Sequence, residues 1–223
     1  MHVGNLAKGM LPAIAIVGGS IPVAAGMGLA FKMQKTRQVV ACFFGDGATS
    51  EGAFHEGVNL AAVWNLPVVF ACENNRYGAS THVTKVTRLA YVAERAAGYG
   101  IRGETVDGNN VIAVYEAARQ AVTECREGRG PVLLELLTYR ITGHSRRDSC
   151  QYQPDEERKL ALENEPIGRF ARTLLSRGVA DRNKLDAIGR EVEARIDAAI
   201  SAAKAAPDPK PEDALDDLFV EPI

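Results

Sequence analysis

A doubly wound parallel α/β sheet with flanking helices is the fold this sequence predicts, on three observations. Short β-branched and aromatic runs without polar alternation, at Gln38–Phe44, Pro67–Cys72 and Pro131–Tyr139, read as strands buried on both faces. Segments of helical character lie between them. The connections are short and glycine-bearing, as at Gly45-Asp46-Gly47 and Asp107-Gly108-Asn109, which is the alternation of βαβ units.

Each element has its own signal. Gly9 to Phe31 carries no charge and is long enough to span a bilayer, but Gly18-Gly19-Ser20-Ile21-Pro22 marks a buried loop followed by a helix start. A core helix is therefore expected there, and no membrane segment. After the first strand, Ser50 is placed to cap a helix reaching Trp64, with Glu51 in its first turn and apolar Phe54, Val58, Ala61 and Ala62. A polar loop, Asn74 to Gly78, follows the second strand. Then come a helical stretch around Leu89–Ala97, a short strand at Glu104–Val106 and a helix over Asn110–Glu127. Residues 140–158 are polar and lack either hydrophobic period, so they form a long loop of the kind that is usually functional or mobile. Helices at Ile167–Arg177 and Arg182–Ala205 close the chain, the second amphipathic through Leu185, Ile188, Val192, Ile196 and Ile200. One α/β domain is expected over 1–205, and a Pro/acid-rich tail over 206–223.

Composition narrows the function. The 223 residues hold 26 Lys+Arg against 28 Asp+Glu, a net charge of −2, which leaves no basic excess for nucleic acid. Cys42, Cys72, Cys125 and Cys150 are far apart and form no C-x-x-C, the pattern of reduced thiols in a cytoplasmic protein.

Ligands of open parallel sheets bind beyond the carboxyl ends of the strands. Two polar clusters fall there, Gly45-Asp46-Gly47 and Asn74-Asn75-Arg76-Tyr77. Asp46 offers an anionic oxygen and Asn75 a neutral carbonyl, a donor set suited to Mg²⁺. The glycines allow backbone amides to approach a phosphate, with a helix start beyond them. Taken singly, each cluster could be an ordinary turn. Gly98 to Gly103 fits the letters G-x-G-x-x-G, but it follows a helix and precedes a strand, the reverse of a dinucleotide site.

Together, GDG and NN separated by strand–helix–strand resemble the thiamin diphosphate signature. The wider run CFFGDGATSEGAFHEGVNLAAVWNLPVVFACENNRYG (residues 42–78) is similar to the α subunit of the E1 component of 2-oxo acid and acetoin dehydrogenase complexes, and the similarity runs from His2 through about Ile167. The resemblance implies a thiamin diphosphate-binding fold with thiamin diphosphate and magnesium as cofactors. In that family Asp46, Asn75 and the Tyr77 carbonyl would hold the metal, while Gly45, Gly47 and Ala48 would line the diphosphate. The run AIVGGSIP resembles the loop that grips the aminopyrimidine ring, through the Ala15 carbonyl and the Val17 amide and side chain. The run YRITGHSRRD resembles the family's mobile active-site loop. There His144 would stabilise or protonate intermediates, and Arg140, Arg147 and Asp148 would order the loop; Ser145 sits where mitochondrial relatives are phosphorylated.

The implied activity is cleavage of a 2-oxo acid (pyruvate first) or acetoin, with acyl transfer to a lipoyl-E2 acyltransferase. The implied assembly is α₂β₂ with an E1 β subunit. Family α subunits are usually longer at the N-terminus, and the Tyr-Arg pair that grips the diphosphate in that region has no counterpart here. The family also needs a β subunit, whose glutamate activates the aminopyrimidine ring, so the resemblance implies little activity without a partner. A truncated, inactive remnant, or another thiamin diphosphate enzyme of transketolase or decarboxylase type, remains open at this point.

Overall fold

A computed structural model describes residues 4–215. Its main sheet has four strands: β1 (Val40–Gly45), β2 (Val68–Asn74), β5 (Arg102–Asp107) and β6 (Val132–Leu137), all parallel and in the order β1-β2-β6-β5. A two-residue pair, β3 (Tyr77–Gly78) and β4 (Thr81–His82), forms a separate hairpin. The helices of this part are α1 (Ser20–Met33), α2 (Gly52–Val63), α3 (Val111–Arg126) and α4 (Asp155–Glu163).

The connections from β1 to β2 and from β2 to β5 run one way across the sheet, and the return from β5 to β6 runs the other. Right-handed crossovers then place the helices on opposite faces. Observation agrees. Val40, Cys42 and Phe44 of β1 with Val68, Phe70 and Cys72 of β2 pack under α1, α2 and the 3-10 helix Val92–Tyr99. Val69, Val106, Val132 and Leu134 pack under Ala117, Ala121 and Cys125 of α3. The sheet is thus doubly wound, as expected.

Phe54 of α2 is fully buried and meets Phe44 edge-on at 5.8 Å. Gly57 brings α2 onto α1: a Cβ there would lie 2.8 Å from the Pro22 nitrogen and 2.9 Å from Ile21.

Several local expectations need correction. The first strand is not buried on both faces: β1 is an edge strand, and Phe43 on its far side is 62% exposed because α3 covers only β2, β6 and β5. Of the loop before α1, Gly18 is buried and Gly19 half-buried as expected, but the burial does not extend further back, since residues 4–17 are all exposed. Helix α2 starts at Gly52, with Glu51 at its cap position and no side-chain cap bond; Ser50 belongs instead to a 3-10 turn, Asp46–Ser50. Residues 155–158 of the expected loop open α4, behind Pro154 and with Asp155, Glu156 and Glu157 in the first turn.

The described chain divides into two compact units after Phe170. The second contains most of α5 (Pro166–Ser176), all of α6 (Arg182–Ala205) and a 3-10 turn, Pro211–Leu215. Asp181 caps α6 by accepting from the Lys184 amide at 2.8 Å. The tail beyond Leu215 lies outside the described residues. All four cysteines are free and buried. No helix among the described residues is long and apolar enough to cross a membrane.

Candidate active site

Because the four strands are parallel, Asp46, Asn75, Thr138 and Gly108 all follow strand ends on one edge of the sheet. Asp46 opens the 3-10 turn after β1 and is 2% exposed. The turn is braced by the Thr49 hydroxyl, which donates to the Asp46 carbonyl at 2.7 Å. As the second residue of this 3-10 turn, Gly47 has an amide with no acceptor inside it.

The Asn74–Gly78 loop lies directly against this turn. A Cβ on Gly47 would sit 3.4 Å from the Gly78 Cα, so the two backbones pass in contact. Asn74 and Asn75 shape the loop by accepting, at Oδ1, from the amides of Arg76 (3.1 Å) and Tyr77 (3.2 Å). Burial raises the Asp46 carboxyl above its ordinary range. The backbone amides of Asp46 and Asn75, and the charges of Arg140 and His82, oppose that rise.

Arg140 ties the following loop to this cluster. Its guanidinium donates to the carbonyls of Tyr77 (2.9 Å) and Ala79 and to the Tyr152 hydroxyl (2.6 Å), and it lies 3.4 Å from Nδ1 of His144. Its own amide donates to the Asn75 carbonyl at 3.3 Å.

Asp148 organises the rest of the loop. It accepts from the amides of His144 (2.8 Å) and Cys150 (2.9 Å) and from the Tyr152 hydroxyl. The Tyr152 bond first, then the Cys150 and His144 amides, hold its carboxyl down at about 2. The turn closes tightly at Gly143, where a Cβ would fall 2.4 Å from the Asp148 carbonyl.

Tyr77 is buried among the rings of His82, Tyr139 and Tyr152, and its hydroxyl donates to Glu157 at 2.9 Å. Burial, then that bond, pushes its phenol well above the usual range. A cavity of about 730 Å³ opens beside this group beyond β5 and β6, with Arg76, His82, Asp107, Asn109 and Glu157 in its wall.

The structure therefore gathers Gly45, Asp46, Gly47, Ala48, Asn75 and Tyr77, and brings Arg140 onto the Tyr77 carbonyl with His144 beside the guanidinium. His144 itself is exposed. Ala15 and Val17 lie apart from these contacts on the exposed segment before α1, with Val17 61% exposed. Their neighbour Gly18 does touch the turn, since a Cβ there would meet Glu51 at 3.2 Å and the Ala48 carbonyl at 3.7 Å.

Three residues of this network were not foreseen: Asn74 as a shaper of the loop, Tyr152 as a partner of Asp148, and Glu135 behind Asn74. Glu135 had a visible signal, a lone charge inside the apolar run Val132–Leu137.

A family model described as "Dehydrogenase E1 component" matches residues 1–212. The chain belongs to the dehydrogenase E1 component family. This E1 chain is 45% identical over 221 residues to the α subunit of acetoin:2,6-dichlorophenolindophenol oxidoreductase of Bacillus subtilis, covering 99% of this chain and 66% of that one. It is 38% identical to the pyruvate dehydrogenase E1 α subunit of Rhizobium meliloti, covering 95% and 61%. Against the 2-oxoisovalerate dehydrogenase α subunit of Bacillus subtilis it is 35% identical, covering 99% and 67%. The E1 chain thus spans about two thirds of the length of these curated relatives.

The E1 family implies thiamin diphosphate, and the residues fit a diphosphate group. Asp46 Oδ2 is buried with no hydrogen-bond partner, a state that a ligand cation would relieve. A Cβ on Gly45 would meet nothing within 4 Å, so the turn faces open space. Among the described residues no three His, Cys, Asp or Glu side chains gather as a metal cluster. The donors here are of another kind: one carboxylate, one amide oxygen and one backbone carbonyl, as a hydrated Mg²⁺ with a bound diphosphate would use.

Proposed function

We propose that this E1 chain is the α subunit of a thiamin diphosphate-dependent dehydrogenase of acetoin or pyruvate type. It holds the magnesium–diphosphate half of the cofactor and acts in an α₂β₂ assembly with an E1 β subunit. The observation that carries the reading is the buried, unpartnered Asp46 oxygen set against the Asn75–Tyr77 loop. Asp46, the Asn75 side-chain oxygen and the Tyr77 carbonyl hold Mg²⁺. The last two already accept one hydrogen bond each, and each keeps a second lone pair. The amides of Gly47 and Ala48 donate to the diphosphate, and Gly45 leaves room for it.

When bound, thiamin diphosphate supplies a nucleophilic carbon for the substrate carbonyl and an electron sink for the bond that breaks. The chain's own contribution is binding, orientation and a proton. Arg140 can only donate, so His144 Nδ1 accepts from it and the imidazole proton rests on Nε2. That N–H would donate to the carbonyl oxygen of the bound substrate. Arg140 and Asp148 keep the imidazole at the mouth of the site. A lipoyl-E2 acyltransferase would be the acceptor of the acyl unit.

Acetoin is the favoured substrate, on the higher identity to the acetoin-named α subunit than to the pyruvate-named one. The test is calorimetric titration of thiamin diphosphate with Mg²⁺ into the chain co-expressed with a β-type subunit. Acetoin- and pyruvate-dependent reduction of dichlorophenolindophenol is measured on the same sample. Magnesium-dependent binding with turnover of either substrate is expected. A folded complex that binds no cofactor refutes the reading in favour of an inactive remnant.

A further inference from the structure

We propose that Glu135, a carboxylate buried in the middle of the sheet, is a positioning residue for the proposed magnesium loop. It fixes the amide orientation of Asn74 and, through it, the course of residues 75–78. The inference rests on reading the Asp46–Asn75–Tyr77 cluster as the cofactor site.

Glu135 lies on β6 and is fully excluded from solvent, paired in register with Cys72 of β2 and Thr105 of β5. Three donors converge on it. Oε1 accepts from Asn74 Nδ2 at 2.7 Å, and Oε2 from the Ala93 amide at 3.1 Å and the Thr105 hydroxyl at 3.0 Å. An apolar residue would serve a buried strand at lower desolvation cost, so sheet packing alone does not account for a carboxylate here.

Donor–acceptor accounting supplies the task. Asn74 has one donor end and one acceptor end. The Arg76 amide can only donate, and it takes Oδ1 at 3.1 Å. The Asn74 amide group must then face an acceptor, and Glu135 supplies one.

The Asn74 backbone cannot follow a change, because its carbonyl accepts from the Thr138 amide at 2.9 Å. Any disturbance passes instead to the loop beyond it. That loop already holds Arg76 at φ 76°, a left-handed conformation that a non-glycine residue keeps only when its surroundings enforce it.

A glutamine at position 135 would keep its oxygen towards Ala93 and Thr105 and turn its amide group towards Asn74. Donor would meet donor, Asn74 would rotate, and the Arg76 amide would lose its acceptor. Exchanging the two groups restores the pattern. With Glu135→Gln and Asn74→Asp together, the aspartate accepts from both the glutamine and the Arg76 amide, and the total charge equals that of the Glu135→Gln/Asn74→Asp protein's parent.

The experiment is amide hydrogen exchange on the full chain, wild type against Glu135→Gln, Asn74→Asp and the double variant. In Glu135→Gln the Arg76 amide should exchange about tenfold faster, the equivalent of one ordinary hydrogen bond, while Phe70 and Ala71 in β2 change little. Asn74→Asp alone sets two carboxylates face to face and should also lose protection. The double variant should recover the wild-type rate at Arg76.

Unchanged protection at Arg76 in Glu135→Gln, or a double variant no better than the single, overturns the proposal. If Glu135→Gln does not fold, the double variant decides: folding with wild-type protection supports the assignment, and failure to fold overturns it. A parallel titration with Mg²⁺ and thiamin diphosphate separates the two claims. A wild-type chain in its β complex that binds nothing refutes the functional reading, and the exchange data still judge Glu135.

Discussion

Replacing Asp46 by Asn removes a negative charge from a position that is 2% exposed, where Oδ2 has no hydrogen-bond partner. Burial raises this carboxyl in the folded chain, so the folded state binds the proton more tightly than the unfolded one. Stability contributed by this group is therefore present below the unfolded aspartate value of 3.8 and falls as pH rises through the raised folded value. At pH 7 the wild type carries the whole penalty. Asparagine keeps two polar atoms at the site and removes only the charge, so the gain is a fraction of the roughly 1–3 kcal/mol that a buried unsatisfied polar group costs. In a chain of this size the melting midpoint moves by about 2–4 °C per kcal/mol.

Asp46→Asn should accordingly melt higher than the wild type at pH 7 without ligand, and the gap should narrow as pH falls towards 4. With Mg²⁺ and thiamin diphosphate at a hundred times Kd, the wild type in its β complex gains about 2.7 kcal/mol, and the variant should gain almost nothing. Thermal melts with and without ligand measure both. An Asp46→Asn protein that melts at or below the wild type at pH 7, or that cofactor stabilises equally, would refute the argument that this carboxylate trades stability for binding.

Asp148→Ala removes the acceptor for the His144 and Cys150 amides and the Tyr152 hydroxyl. Tryptic cleavage after Arg146 and Arg147 should then speed up by about tenfold or more, and equal cleavage would refute the organising role. Because the Asp148 value is depressed to about 2, its contribution is present above 3.8 and lost as pH falls from there towards 2. Acid-tolerant proteolysis across that window should show the loop opening. Phe54→Ala empties a fully buried ring site and should destabilise by about 3–5 kcal/mol in urea unfolding, whereas Phe43→Ser on the open face of β1 should change stability by no more than about 0.5 kcal/mol. Equal effects at the two phenylalanines would contradict the edge placement of β1.

Much of the site was legible because its parts are local. The Gly45-Asp46-Gly47 turn and the Asn74–Gly78 loop are each set by neighbouring residues, and their place at strand ends follows from the βαβ pattern alone. Asp148 and Arg140 were legible only through resemblance, since their partners Tyr152, Tyr77 and Ala79 follow no periodicity. Ser50 was misread because a capping residue and a 3-10 turn share the same local signals. Burial at Phe43 was misread because an apolar run does not reveal whether its strand lies at the centre or the edge of a sheet.

Periodicity and turn chemistry in the sequence determined the alternation of strands and helices, the parallel sheet and the two polar loops, because these depend on residues close together in the chain. The tertiary structure alone decided the strand order, the edge position of β1 and the burial of Asp46. It also decided the convergence of Asn74, Ala93 and Thr105 on Glu135. Those are long-range facts: which face a helix covers, and which donors meet one carboxylate, are fixed only when segments far apart in sequence pack against each other.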